Sequence, residues 1–186
     1  DQAARRVEIR KPDGKPDILQ QIEHGMLHVL GAYRALGRLP RGMIVPTLQQ
    51  YVMVGDIANQ TDGLKYDPKL PVGQRTATHS SVLDDRLVFT EDNPARELST
   101  VAQIAAAARV LREYNPSMAS ESLKVAESLW QASQQDRRPL TDEVRESRIQ
   151  AAVELFLTTK KPAYRQQLLD EEATIVAKIE SLGWVV

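Results

Sequence analysis

An alanine-rich stretch, Ala102 to Ala108, constrains the fold more than any other feature of the sequence. It lies in a segment, about 99–113, whose apolar residues recur at steps of three and four and so share one face of a helix. These residues are Val101, Ile104, Ala105, Ala108 and Leu111. Because alanine side chains are short, neighbouring helices can approach this helix closely. The stretch therefore predicts a helix that lies among other helices in an all-α chain.

Four further helices are predicted from the same periodicity and from residues that begin or end helices. The first runs from Pro16 to about Gly37, since proline suits the first helical turn and glycine the position just past the end. Another begins at Asn115-Pro116, one is capped by Thr141, and the last begins near Pro162. The residues expected to be buried in these four helices are Ile18, Ile22, Met26, Val29, Tyr33, Leu36, Ala119, Leu123, Ala126, Trp130, Ile149, Ala152, Val153, Phe156, Tyr164, Leu168, Ile175 and Ile179.

The segment from about 38 to 98 breaks the helical pattern. Five prolines and four glycines interrupt it, so no long helix fits there. Short strands are expected at 43–45 and 51–54. A stretch of this length without strong secondary structure is more often a functional loop than a simple connection. The sequence thus predicts helical hairpins with one long loop region.

Composition excludes several classes of function. The 24 lysine and arginine residues stand against 25 aspartate and glutamate residues, so a net charge of −1 gives no long-range field to recruit nucleic acid or an anionic membrane. The absence of cysteine excludes disulfides, thiolate metal sites and a cysteine nucleophile. No apolar run approaches the roughly 20 residues of a membrane span. We expect one domain of 186 residues that binds neither nucleic acid nor membrane and is a piece of a longer protein.

His24 and His28 are four residues apart in the first predicted helix, a spacing at which two imidazoles can share a metal ion. They fall opposite the apolar face, beside Asp17 and Gln21. The pair lacks the glutamate of the HExxH metalloprotease helix, and a third ligand would have to come from elsewhere. The sequence alone favours a polar helix face, so we expect no metal and no cofactor. His79, in the loop, has no obvious partner in the sequence.

The loop combines carboxylates with aromatic side chains, a pairing that suits sugars. Carboxylates accept hydrogen bonds from hydroxyl groups, and an aromatic ring stacks on the apolar face of a pyranose. Aspartate beside glycine or proline also belongs to ordinary turns, and we assign Asp67-Pro68 and Asp92-Asn93-Pro94 to turns. The expected substrate contacts are Tyr51, Asp56, Asp62, Tyr66, Asp84 and Asp85. The adjacent pair among them, 84 and 85, is a candidate for acid/base hydrolysis, although neighbouring loop residues usually point apart.

Several sequence landmarks, taken in their order, resemble glycoside hydrolase family 9. Residues 14–25 resemble the PDILDE-type helix of that family, and 51–56 resemble its V-G-D loop. Residues 85–95 resemble the segment that leads into its alanine-rich helix. Residues 105–130 resemble its A-A-A-R-V, Y-D-P and A-E-x-x-W sequences, and 151–164 resemble the next helix pair. The resemblance covers nearly the whole chain.

The resemblance implies an (α/α)₆ barrel, six helical hairpins around one axis, with long loops at one end that form a sugar cleft. It also implies an inverting hydrolase of β-glucans, in which an aspartate activates water and a glutamate protonates the leaving oxygen. The two carboxyl groups of such a pair are about 6.5 to 9.5 Å apart. The family's D-A-G-D segment, which holds the base, would precede Asp1, and its acid would follow Val186. We therefore expect no catalytic residue in this chain, and no activity from the chain alone. The resemblance further implies a secreted or periplasmic enzyme.

The loop also departs from the cellulases of the family, because residues 57–66 carry neither the histidine nor the tryptophan that contacts glucose there. A related β-glucan, a hemicellulose or an oligosaccharide is then as plausible a substrate as cellulose. The alternatives are a helical-hairpin module that binds protein or sugar without catalysis, and another (α/α) barrel glycosidase or lyase. Expected partners are the sugar substrate, the remainder of the catalytic domain and, through exposed apolar helix faces, further copies of the chain.

Overall fold

The computed structural model describes residues 13–44, 62–85, 87–90 and 92–182. The chain divides into two compact units, one made of Asp1–Arg38 and Asn93–Val186 and the other of Leu39–Asp92. All the helices of the described residues belong to the first unit, and the short strands belong to the second. The predicted all-α organisation with one long loop region is therefore confirmed.

Seven helices lie in the described residues: α1 (Asp17–Leu36), α2 (Pro94–Leu111), α3 (Pro116–Gln135), α4 (Asp142–Thr159), α5 (Pro162–Asp170), α6 (Glu172–Ala177) and α7 (Ile179–Leu182). Local chemistry sets most of their ends. The side chains of Asn93, Asn115 and Thr141 each accept a backbone N–H from the first turn of α2, α3 and α4. Gly37 ends α1 in the left-handed conformation, with φ of 68°, as its position in the sequence predicts.

Two helix predictions were wrong, one in its starting residue and one in its continuity. Helix α2 begins at Pro94 rather than near residue 99, because Asn93 caps it; Asp92-Asn93-Pro94 is a helix start instead of a turn. The fifth predicted helix is three short ones, since the backbone leaves helical geometry at Glu171 and Lys178. Of its four residues expected to be buried, only Tyr164 is buried.

The apolar face of α1 is buried over a shorter length than the sequence predicts. Met26 and Leu30 are buried against the neighbouring helices α2 and α3. Ile18 is 66% exposed and Leu36 is 40% exposed, both contrary to prediction. Packing on α2 and α3 therefore covers the middle of α1 and leaves its two ends uncovered.

Helices α2 and α4 form the centre of the helical unit. They run parallel, because Thr158 near the end of α4 bonds to Ala105 of α2, while Pro94 and Thr141 at their beginnings line one pocket. Helix α3 follows α2 in the sequence and runs antiparallel to it, since Pro94 at the beginning of α2 and Asp136 at the end of α3 line the same pocket. Helix α1 packs on α2 and α3, and α5 packs on α4. Parallel central helices that alternate with outer ones are the hairpins of a partial (α/α)₆ barrel, as predicted.

Two small sheets form in the loop unit. Strand β1 (Gly42–Ile44) pairs antiparallel with β4 (Leu87–Phe89), with Gly42 opposite Phe89. Strand β2 (Lys65–Tyr66) pairs parallel with β3 (His79–Ser80), with Lys65 opposite His79. Strand β1 confirms the strand expected at 43–45 to within one residue. The strand expected at 51–54 lies outside the described residues.

Candidate functional site in the loop unit

Four of the six predicted substrate contacts lie close together in the loop unit. The Asp62 backbone N–H donates to Asp84 Oδ2 at 2.6 Å, and the Tyr66 N–H donates to Asp85 Oδ2 at 2.7 Å. These bonds join residues about 20 positions apart in the sequence. The structure therefore brings Asp62, Tyr66, Asp84 and Asp85 into one site. Tyr51 and Asp56 lie outside the described residues.

The β2–β3 pair holds this site in shape. Backbone bonds join Lys65 N to Thr78 O at 3.0 Å and Asp67 N to Ser80 O at 2.8 Å. Ser80, which is fully buried, accepts a further backbone N–H from Val82 through its hydroxyl. Its neighbour in β3, His79, places Nδ1 2.8 Å from the Thr78 hydroxyl. The burial of Ser80 was not predicted, because no periodic pattern in the sequence marks a strand of only two residues.

Asp62 is held by several groups at once. Its Oδ1 accepts the Leu64 N–H at 2.9 Å across a turn in which Gly63 takes φ of +75°. Its Oδ2 lies 3.7 Å from Arg75 Nε. The Leu64 N–H, the Ser80 hydroxyl and the Arg75 charge together hold the pKa of Asp62 below its usual range. Asp62 is therefore a charged carboxylate that organises the turn.

The carboxylates of this site mainly bind the backbone of the loop itself. Asp62 Oδ1, Asp84 Oδ2 and Asp85 Oδ2 each accept a backbone N–H of the loop. Asp62 Oδ2 and Asp84 Oδ1 are buried and have no hydrogen-bond partner among the described residues. Asp84 and Asp85 also hold different backbone groups, so the structure does not aim them at one common point. The exposed member of the site is Tyr66, which keeps 37% of its surface accessible. The arrangement can present an aromatic face on a loop that carboxylates make rigid.

A second set of polar contacts joins the two central helices. Arg109 Nη1 donates to Glu154 Oε2 at 2.7 Å and to Thr158 Oγ1 at 2.9 Å. Arg112 Nη2 donates to the Thr158 carbonyl at 2.9 Å. Arg109 and Glu154 both belong to the family-like sequences quoted above, but their pairing was not predicted. Arg109 and Glu154 are therefore both part of the α2–α4 interface.

A pocket of about 180 Å³ opens at the beginnings of α2 and α4. Asp136 and Arg138 line it as an ion pair, with Arg138 Nη2 2.5 Å from Asp136 Oδ2. Two bonds from Arg138 are the main cause that lowers the pKa of Asp136 to about 2. The pocket includes none of the predicted substrate contacts.

Two negative findings hold for the part of the chain that the structure describes. It contains no group of three or more His, Asp or Glu side chains placed to hold a metal ion. None of its helices is both long enough and apolar enough to cross a lipid bilayer.

Comparison with known proteins decides the family. The model of Glycosyl hydrolase family 9 matches residues 13–185. The chain belongs to this family. Comparison with curated proteins and with solved structures gave no match. The match spans helices of the first unit and the whole loop unit, so both are parts of a family 9 glycoside hydrolase, a class that acts on glucans.

Proposed function

We propose that this chain is part of the catalytic domain of an inverting β-glucan hydrolase, for which it supplies scaffold helices and one wall of the sugar cleft. The family 9 match over residues 13–185 carries the proposal. The parallel pair α2 and α4 supports the scaffold role, because the two helices share a continuous buried interface. Tyr66 supports the role as a cleft wall, because it is exposed on a loop whose backbone N–H groups bind three aspartate side chains.

We place both catalytic carboxylates outside the chain. Residues 1–186 contain no D-A-G-D segment, and the resemblance puts the acid beyond residue 186. Asp84 and Asp85 do not replace them, since an inverting pair must approach one sugar from two sides at about 6.5 to 9.5 Å. These two aspartates are adjacent and bind backbone amides of the loop. The chain alone is therefore expected to hydrolyse nothing.

The substrate that we propose is a β-glucan or a related plant polysaccharide or oligosaccharide. The stretch 57–66 has no histidine or tryptophan, so the glucose contacts of the family's cellulases are not reproduced there. Tyr66 offers one aromatic face in their place, which would stack on the apolar side of a pyranose. Membership of family 9 also leads us to propose a secreted or periplasmic enzyme.

Within the site, we assign different roles to the predicted residues. Tyr66 contacts the sugar directly because it is exposed. Asp62, Asp84 and Asp85 position the loop, because their oxygen atoms bond to its backbone. Tyr51 and Asp56 remain proposed substrate contacts from the sequence.

The remainder of the catalytic domain is the proposed partner of the exposed apolar surface. Val176 is 68% exposed, Ile179 50% and Leu169 46%, all on the short helices after α4. Apolar surface of this kind favours association in water. We expect the other hairpins of the barrel to cover it in the complete enzyme. The isolated chain should form oligomers, which analytical ultracentrifugation would detect.

The test of the site measures oligosaccharide affinity in the longer polypeptide that contains this chain. Tyr66→Ala should weaken binding about tenfold by removing one stacking contact, whereas Tyr66→Phe should keep the affinity. Tyr114→Ala, in the turn between α2 and α3, is the matched control and should have no effect. Unchanged affinity in Tyr66→Ala, together with unchanged affinity in Asp62→Ala, would contradict the proposed cleft wall.

A further inference from the structure

Two histidine side chains lie next to each other on α1, away from the core. The buried residues Met26 and Leu30 mark the face of α1 that packs on other helices. His24 and His28 lie on the opposite face, because residues two positions away point to the other side of a helix. Both are exposed. Their ring centroids are 5.1 Å apart, and the ring planes are nearly perpendicular at 85°.

The separation of the rings fits a shared metal ion. With a metal–nitrogen bond of about 2.0 to 2.1 Å, each ring centre lies about 3.2 Å from the metal. At a tetrahedral angle, the two centres are then about 5.2 Å apart. The observed 5.1 Å agrees with this value. A shared ion requires both rings to rotate about their side-chain bonds until one nitrogen of each points at the ion, a change of rotamer that leaves the helix backbone in place.

Within the described part of the chain, neither ring makes a hydrogen bond or an ion pair. The two rings contact each other edge to face. His79 differs, because its Nδ1 lies 2.8 Å from the Thr78 hydroxyl. The two α1 histidines therefore offer nitrogen lone pairs to an ion from solution. The sequence alone could not show this, since spacing gives neither exposure nor ring separation.

We propose that His24 and His28 chelate one first-row transition-metal ion, Zn²⁺ or Cu²⁺, across one turn of α1. Imidazole nitrogen suits these ions, whereas Mg²⁺ and Ca²⁺ prefer oxygen ligands. Two protein ligands leave the other coordination positions to water, so the site is open rather than a closed structural cage. An ion that bridges the two side chains binds the helical state and stabilises it. The proposal is independent of the hydrolase function.

The test titrates the full chain, free of any polyhistidine tag, with CuCl₂ and with ZnCl₂ in a calorimeter. We expect one ion per chain, a raised melting temperature and a Cu²⁺ electron paramagnetic resonance spectrum with two nitrogen ligands. His24→Gln and His28→Gln should each weaken binding about tenfold or more. Both residues are exposed, so the variants should keep the wild-type circular dichroism spectrum.

His79→Gln is the matched control, since it removes the third histidine of the chain and should leave the affinity unchanged. MgCl₂ and CaCl₂ should give no binding heat at this site. The proposal is overturned if either α1 variant binds within about twofold of wild type, or if His79→Gln loses as much affinity. Either result would mean an adventitious ion only.

Discussion

Replacing Thr158 with valine tests the interface between the central helices α2 and α4. Thr158 is 7% exposed, and its hydroxyl donates to the Ala105 carbonyl and accepts from Arg109, both at 2.9 Å. Valine has nearly the same volume but makes neither bond. A neutral hydrogen bond contributes about 1 kcal/mol and one to a charged group somewhat more. Arg109 keeps its bond to Glu154, so we expect the free energy of unfolding to fall by about 2 kcal/mol.

Urea denaturation followed by circular dichroism measures this change. A loss of about 2 kcal/mol lowers the ratio of folded to unfolded protein about 30-fold. Thr159→Val is the matched control, because the Thr159 hydroxyl lies at the end of the helix. It donates to Leu155 within the same helix and accepts the exposed Lys161 N–H, where water can replace it. It should change the free energy of unfolding by less than about 0.5 kcal/mol. An equal loss in both variants, or no loss in Thr158→Val, would refute the proposed role of the buried hydroxyl.

Gly37→Ala should lower the free energy of unfolding by about 1 kcal/mol, because Gly37 has a left-handed φ of 68°, whereas Gly25→Ala should raise it by about 0.5 to 1 kcal/mol, since an added Cβ meets nothing within 4 Å. Urea denaturation measures the change in the free energy of unfolding for both variants, and two changes of the same sign would contradict the prediction. Arg138 lowers the pKa of Asp136 to about 2. The Asp136 carboxylate therefore stabilises the folded chain fully above the unfolded pKa of about 3.9, and this stabilisation is lost as pH falls through about 2. Melting temperatures from pH 5 to pH 2 should therefore fall less steeply in Asp136→Asn than in wild type. Burial, and then a hydrogen bond to the Glu127 carboxylate, raise the pKa of Tyr164. The neutral Tyr164 hydroxyl therefore stabilises the folded chain fully below about pH 10, and this stabilisation is lost at higher pH. An absorbance titration at high pH should show one late-ionising tyrosine that Tyr164→Phe lacks; an unchanged curve would count against this environment.

Helix positions could be predicted where the signal is local. Asn115 with Pro116, and Thr141, begin helices at the predicted places because capping involves residues only three positions apart. Asn93-Pro94 was misassigned because the same residue types suit both a turn and a helix start. Whether the chain continues into a helix depends on the packing of Leu98 and Val101, which are buried in the core.

The candidate site was predicted in composition but not in geometry. Sequence pointed to the loop carboxylates, and four of the six named residues prove to be neighbours. Sequence could not show that Asp84 bonds to the Asp62 backbone, because 22 positions separate them and no periodic pattern links them. The Arg109–Glu154 ion pair was missed for the same reason, since it joins helices 45 positions apart. Contacts of this kind depend on how each unit folds in three dimensions.

The most direct test compares sugar release by this chain with release by the longer polypeptide that contains it. Both are incubated with mixed-linkage glucan, carboxymethylcellulose and xyloglucan, and the reducing ends are measured. We predict activity from the longer polypeptide and none from the chain of 186 residues. Activity in the chain alone would contradict the placement of the catalytic carboxylates outside it, and silence from both would contradict the hydrolase function.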